Sequence, residues 1–137
     1  MPTQHNPPAQ ALVFWIIWFS ILTGLVMIQL FAGGGIPSGA DAEEVSLVFK
    51  FIPVAMATAS LAVRFFVIPR LPGLQAKLPA MVIGLALAEG AGILGAFIID
   101  KQAGATRLTV FLMAVVCIVL SAPVYASAKM PQDPSQP

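Results

Sequence analysis

Glu89 is the residue of this sequence whose type and setting most clearly suggest chemistry. It stands in the apolar run Pro79 to Ile99, about ten residues from either end. By the rise of an α-helix that places it about 15 Å from each boundary of a membrane-crossing segment. An ionised Glu facing lipid at such depth would cost several kcal/mol, so it is expected to face the bundle interior, protonated or paired, and to default to a functional role.

The neighbours of Glu89 are small. Gly84, Ala88, Gly92 and Ala96 recur every four residues, with Gly90, Ala91 and Gly95 between them. Such a surface lets another helix approach closely. Gly92 and Ala96 fall near the face of Glu89 by helical spacing and leave room for a backbone, an ion or water. Ranked by depth, the polar partners expected for Glu89 are Ser20 and Thr23 in the first apolar segment and Thr58 and Ser60 in the second, with Cys117 in the fourth at the same level. Arg64 lies about two turns toward the boundary. It can reach for Glu89, but snorkelling toward the headgroups beside Phe65 and Phe66 is the favoured expectation. Gln29, Ser121 and Tyr125 lie nearer the segment ends and are assigned no special role.

Other chemistry lacks its parts. His5 has no nearby Cys, His or carboxylate, Cys117 stands alone in an apolar stretch, and no crossing contains a His, a second acid, an HExxH or a Ser/His pair. No catalytic residue, metal site or cofactor is therefore expected, and an enzyme is the least favoured class. A formal charge of +1 without a basic block sets nucleic-acid binding aside.

The elements that must position Glu89 follow from composition. Of 137 residues 58% are hydrophobic and only 9% charged, with a mean hydropathy of +0.92, far from the soluble range. Four apolar segments, at roughly 12–32, 45–69, 79–99 and 107–127, are each long enough to cross a bilayer. They show no alternation, and a bilayer demands internally satisfied backbones, so the expected fold is an all-α integral membrane four-helix bundle. It forms one domain over 11–129 between disordered tails, 1–10 and 130–137. Local signals set the expected ends. Trp15 and Trp18 mark a headgroup boundary, and Gly33-Gly34-Gly35 stops the first segment. Asp41 and Glu44 are spaced as a capping box. Pro53 predicts a bend or restart in the second segment. Pro79 suits the first turn of the third, Thr106 suits the N-cap of the fourth, and Pro123 a late kink in it.

Four crossings put both termini on one side with Arg64, Arg70, Lys77 and Lys129, against Lys50, Lys101 and Arg107 on the other. The middle loop is the most basic connection and the first loop contains only acids, so both termini are expected in the cytoplasm. The membrane expected is a bacterial inner membrane, and the partners are the lipid bilayer with a homo-oligomer or other membrane subunits.

Gly84-Leu85-Ala86-Leu87-Ala88-Glu89, followed by Ile93 and Gly95, resembles the carboxylate-bearing helix of the rotary ATP synthase proteolipid, subunit c. The likeness covers residues 84–95, and Glu89 is the one position it carries across. It implies a carboxyl that binds and releases a translocated proton or sodium ion. The preceding segment departs from that family, since 56–66 contains no glycine and the loop reads Pro69-Arg70-Leu71-Pro72. Two functional expectations follow. One is an accessory or structural membrane protein whose Glu89 and small residues hold helices or bind another subunit. The other is proton or cation translocation through Glu89.

Overall fold

Peptide groups in lipid have no water to bond, so a crossing segment must satisfy them itself. The chain does so with helices throughout. The computed structural model describes residues 7–40 and 44–127. Helix α1 (Pro7–Met27) continues through a π turn, Ile28–Ala32. Helix α2 (Leu47–Ala62) likewise runs on through a π turn, Val63–Val67, and a 3-10 turn, Ile68–Arg70. Helix α3 is Gly73–Phe97, α4 is Gly104–Leu120, and a short α5, Val124–Ser127, follows α4 after a turn. Four stretches of 24 or 25 residues, the fourth broken by the turn between α4 and α5, are long and apolar enough to cross a membrane. The protein is an all-α four-helix bundle of the integral membrane class, with Leu12, Ile16, Phe19, Phe51, Phe66, Ile83 and Phe97 among the large apolar side chains it turns outward toward lipid.

Several ends differ from the sequence expectation. Residues 7–10, expected in a disordered tail, belong to α1. Proline fits a first helical turn, where its missing N–H is not needed, and Ala9-Gln10-Ala11 propagates the helix well. The rest of that tail and all of 130–137 lie outside the described residues. So do Asp41 and Glu43. Helix α2 begins later than the acids suggested, after Ser46, which offers no side-chain cap; its carbonyl accepts from Phe49 and Lys50 N–H. The helix runs through Pro53 without interruption.

Helix α3 begins six residues before Pro79, which therefore sits in its interior rather than its first turn. Pro72 serves as N-cap, and Gly73 takes φ +67°, a left-handed value that glycine adopts without strain. Leu74 and Leu78 then pack on the core and stabilise the added turns. Helix α4 begins at Gly104 with Ala103, not Thr106, as its N-cap, because Gly104 lies directly against the backbone of Ser38 and Gly39 in the first loop. Before Pro123 the helix ends outright at Leu120.

Helix α3 touches all three other long helices, and its small residues are the reason. Gly84 and Gly90 lie against Val63 and Met56 of the second span, Gly92 against Leu25 of α1 and Ala114 of α4, and Gly95 against Val110 of α4. Leu85, Ala88 and Ala91 are fully buried there.

A methyl group on Gly104 meets a backbone carbonyl that cannot swing aside, whereas one on Gly24 makes ordinary contact at 3.7 Å. Gly104→Ala is therefore expected to lower the thermal unfolding midpoint in detergent, corresponding to about 1–3 kcal/mol. Gly24→Ala should leave the midpoint unchanged.

Candidate functional site

The carboxyl of Glu89 lies at the seam between α3 and α1. Its Oε1 faces bare Gly24, and the residue is partly buried. Glu89 stands eight residues before the end of α3, and Gly24 eight before the end of the first span, so each lies about 12 Å from the end of its own helix at the same face of the bundle. The helix extends toward its N-terminus, and the carboxyl is closer to the face bearing the first and third loops. Among the described residues Glu89 makes no hydrogen bond or ion pair.

None of the expected polar partners reaches it. Thr58 donates to Val54 O of its own helix at 2.8 Å. Ser60 is fully buried against α3, and its hydroxyl has no partner among the described residues. Ser20 and Thr23 are exposed on the outside of α1. Arg64 turns away from Glu89. Its Nε donates to Leu120 O at 3.2 Å and its Nη2 to Ala122 O at 3.3 Å, while its guanidinium stands 4.8 Å from the centre of the Tyr125 ring. Cys117, at 3.9 Å from Ala57 O, is a buried small side chain. Gly84, Ala88, Gly92 and Ala96 are all buried between helices.

A stronger polar centre is Arg107, which sequence reading treated only as a loop charge. It is 5% exposed. Its Nη2 donates to Gly33 O at 2.7 Å and Ala96 O at 3.0 Å, and its Nε to Gly95 O at 3.2 Å. These carbonyls end the first span and α3. Each helix C-terminus carries roughly half a negative elementary charge, so two of them together match one guanidinium. Gln29, 1% exposed, supports the same corner by donating to Gly35 O at 2.7 Å. The sequence signal was present. A cation in the first turn of α4 opposes that helix's own dipole, and it makes sense where antiparallel neighbours end.

At the opposite face Arg64 performs the equivalent task for α4, and Trp18 Nε1 adds a bond to Ile118 O at 2.7 Å. Trp15 Nε1 bonds Ser127 Oγ at 3.0 Å. The two indoles of α1 therefore hold the end of the fourth span. The polar turns of the first two spans are both π turns, which carry Gln29 and Arg64. Such turns displace side chains from the regular helical register.

No metal-binding group of three or more His, Cys, Asp or Glu occurs among the described residues. No protein family, curated protein or solved structure matches the chain.

Replacing Arg107 by Met strands three buried carbonyls, each worth about 1–3 kcal/mol when left unpaired. Arg107→Met is expected to destabilise the bundle by several kcal/mol in a detergent unfolding titration. Arg107→Lys should recover only part of this, because an ammonium lacks the planar fork. Equal stability of all three proteins would refute the clamp.

Proposed function

We propose that the chain is a small accessory membrane subunit that works by lateral association, with Glu89, Ser20 and Thr23 as its polar contact. The carrying observation is their shared position. Ser20 and Gly24 share a face of α1 by helical spacing, Thr23 adjoins them, and Glu89 borders Gly24 across the seam. Ser20 and Thr23 face outward and Glu89 is partly exposed. Among the described residues none of the three has a hydrogen-bond partner. Polar groups in hydrocarbon favour contacts with another transmembrane helix that can satisfy them, at about 0.6–2 kcal/mol for each bond. A second copy of this chain or another membrane subunit fits that strip.

A second reading is proton or cation exchange at Glu89. The absence of a neighbouring cation among the described residues supports it, as does the resemblance of 84–95 to the proteolipid helix. No enzymatic role is proposed. The membrane proposed is a bacterial inner membrane with both termini in the cytoplasm. The exposed or partly exposed cations Arg64, Arg70 and Lys77 share that side, while buried Arg107 answers to helix ends rather than to a loop.

Association and exchange separate experimentally. Thr23→Cys in otherwise unaltered chain should form an oxidative cross-link in membranes, or a photocross-linker at the same position should capture a partner. Glu89→Leu should weaken that complex about ten-fold, while Glu89→Gln, which still hydrogen-bonds, retains it. Loss of proton flux in vesicles with Glu89→Gln, the complex remaining intact, selects the exchange reading. Unchanged association in Glu89→Leu defeats the lateral-contact reading.

A further inference from the structure

The face carrying the second loop holds a corner with more cations than the end of α4 offsets: its carbonyls answer Arg64, and Lys77 is left beside it. Lys77 Nζ lies 5.5 Å from the centre of the Tyr125 ring, and the guanidinium of Arg64 lies 4.8 Å from the same centre. One aromatic ring thus gathers a cation from α2's π turn and a cation from α3. Arg70 adds a third, exposed, in the turn between those helices. Among the described residues this face has no carboxylate, because Glu44 and Asp100 lie in the first and third loops and Glu89 is deep in α3. Lys77 has no hydrogen bond or ion pair among them.

The level of this corner fixes the kind of anion that meets it. Lys77 is four residues into α3, and Tyr125 is two residues from the end of the fourth span. Trp15 and Trp18 of α1 hold the end of α4 beside them. Aromatic rings and long cations at this height coincide with the headgroup region of a bilayer. Phe14, which meets Tyr125 edge-on at 5.9 Å, also lines a groove of about 170 Å³ between α1 and α3 with Val13, Leu74 and Leu78. A phosphate above and an acyl chain alongside are the two parts of one molecule.

We propose that the Arg64–Tyr125–Lys77 corner is a binding site for an anionic phospholipid, its phosphate held between Lys77 and Arg64 and an acyl chain laid against the Phe14–Leu78 groove. Guanidinium and ammonium groups supply the charge-assisted bonds that phosphate accepts. Basic pockets between helices at a membrane face recognise anionic headgroups by this charge.

The test uses the full chain in nanodiscs of phosphatidylcholine alone or with one-fifth phosphatidylglycerol. Retained lipid is counted by native mass spectrometry after mild detergent release. Wild type should retain phosphatidylglycerol in preference to phosphatidylcholine. Lys77→Gln should reduce that retention about five-fold, the effect of one cation near a headgroup, and Lys77→Arg should restore it. Arg64 also holds the end of α4, so the Lys77 pair is the informative one. Equal retention of the two lipids, or equal retention by Lys77→Gln, overturns the site. Full displacement of lipid by inorganic phosphate assigns the corner to a free anion, and a changed oligomeric mass with unchanged lipid assigns it to a protein contact. Either result overturns the proposal.

Discussion

The architecture rests on the need to satisfy the last carbonyls of each helix where water is scarce. A helix leaves four such groups at its C-terminus without an intrahelical donor. Here side chains from neighbouring helices supply much of what is missing. Arg107 serves Gly33, Gly95 and Ala96, Arg64 serves Leu120 and Ala122, and Trp18 serves Ile118. Each donor belongs to a different span from the carbonyl it serves. The same bonds that finish the helices therefore tie them together. Burial of Arg107 is tolerable because the carbonyl dipoles of two helix ends converge on it. An isolated guanidinium in that position would carry a desolvation penalty of several kcal/mol.

With both faces tied, close approach in the middle falls to α3. Gly92 and Gly95 leave little space for a side chain against Leu25, Ala114 and Val110; on the side of the second span Gly84 fits tightly against Val63, and Gly90 meets the flexible end of Met56. Packing at these distances supplies the dispersion contacts that hold helices in lipid, where the hydrophobic effect gives little between them. It also decides where Glu89 can go. Most of the bare positions of α3 face α2 and α4, and Gly92 also meets Leu25 of α1; the one acid of α3 lies at that same seam, opposite Gly24 of α1.

The sequence made the four crossings legible because hydropathy and length answer directly to bilayer thickness. Helix ends were less legible because they depend on neighbours. Pro79 looks like a first-turn residue until Leu74 and Leu78 find a core, and Thr106 looks like a cap until Gly104 meets the first loop. The polar network was the least legible part. Arg64, weighed as a partner for Glu89, instead bonds the end of α4, and Gln29, read as incidental, is buried at the helix-end corner. Linear spacing ranks residues by depth, yet the direction in which each polar group turns is fixed only when antiparallel partners place particular carbonyls within reach. Arg107 in the first turn of its own helix was the available clue.

The interior of the bundle constrains both functional readings in the same way. Leu85, Ala88, Ala91, Ala114 and Ile118 are completely buried, and Gly92 is in contact with two helices at once. A water path through this core would have to displace close-packed side chains rather than open an existing passage. Glu89, by contrast, is reached from the outer flank of the α1/α3 seam. A carboxyl that serves as glue must meet a donor there, and a carboxyl that passes protons must meet an acceptor there. Under the proposed lateral contact the group that completes Glu89 would come from a second transmembrane chain against α1, and under the proposed exchange the proton acceptor would meet the same flank, so both proposals turn on what lies against that seam.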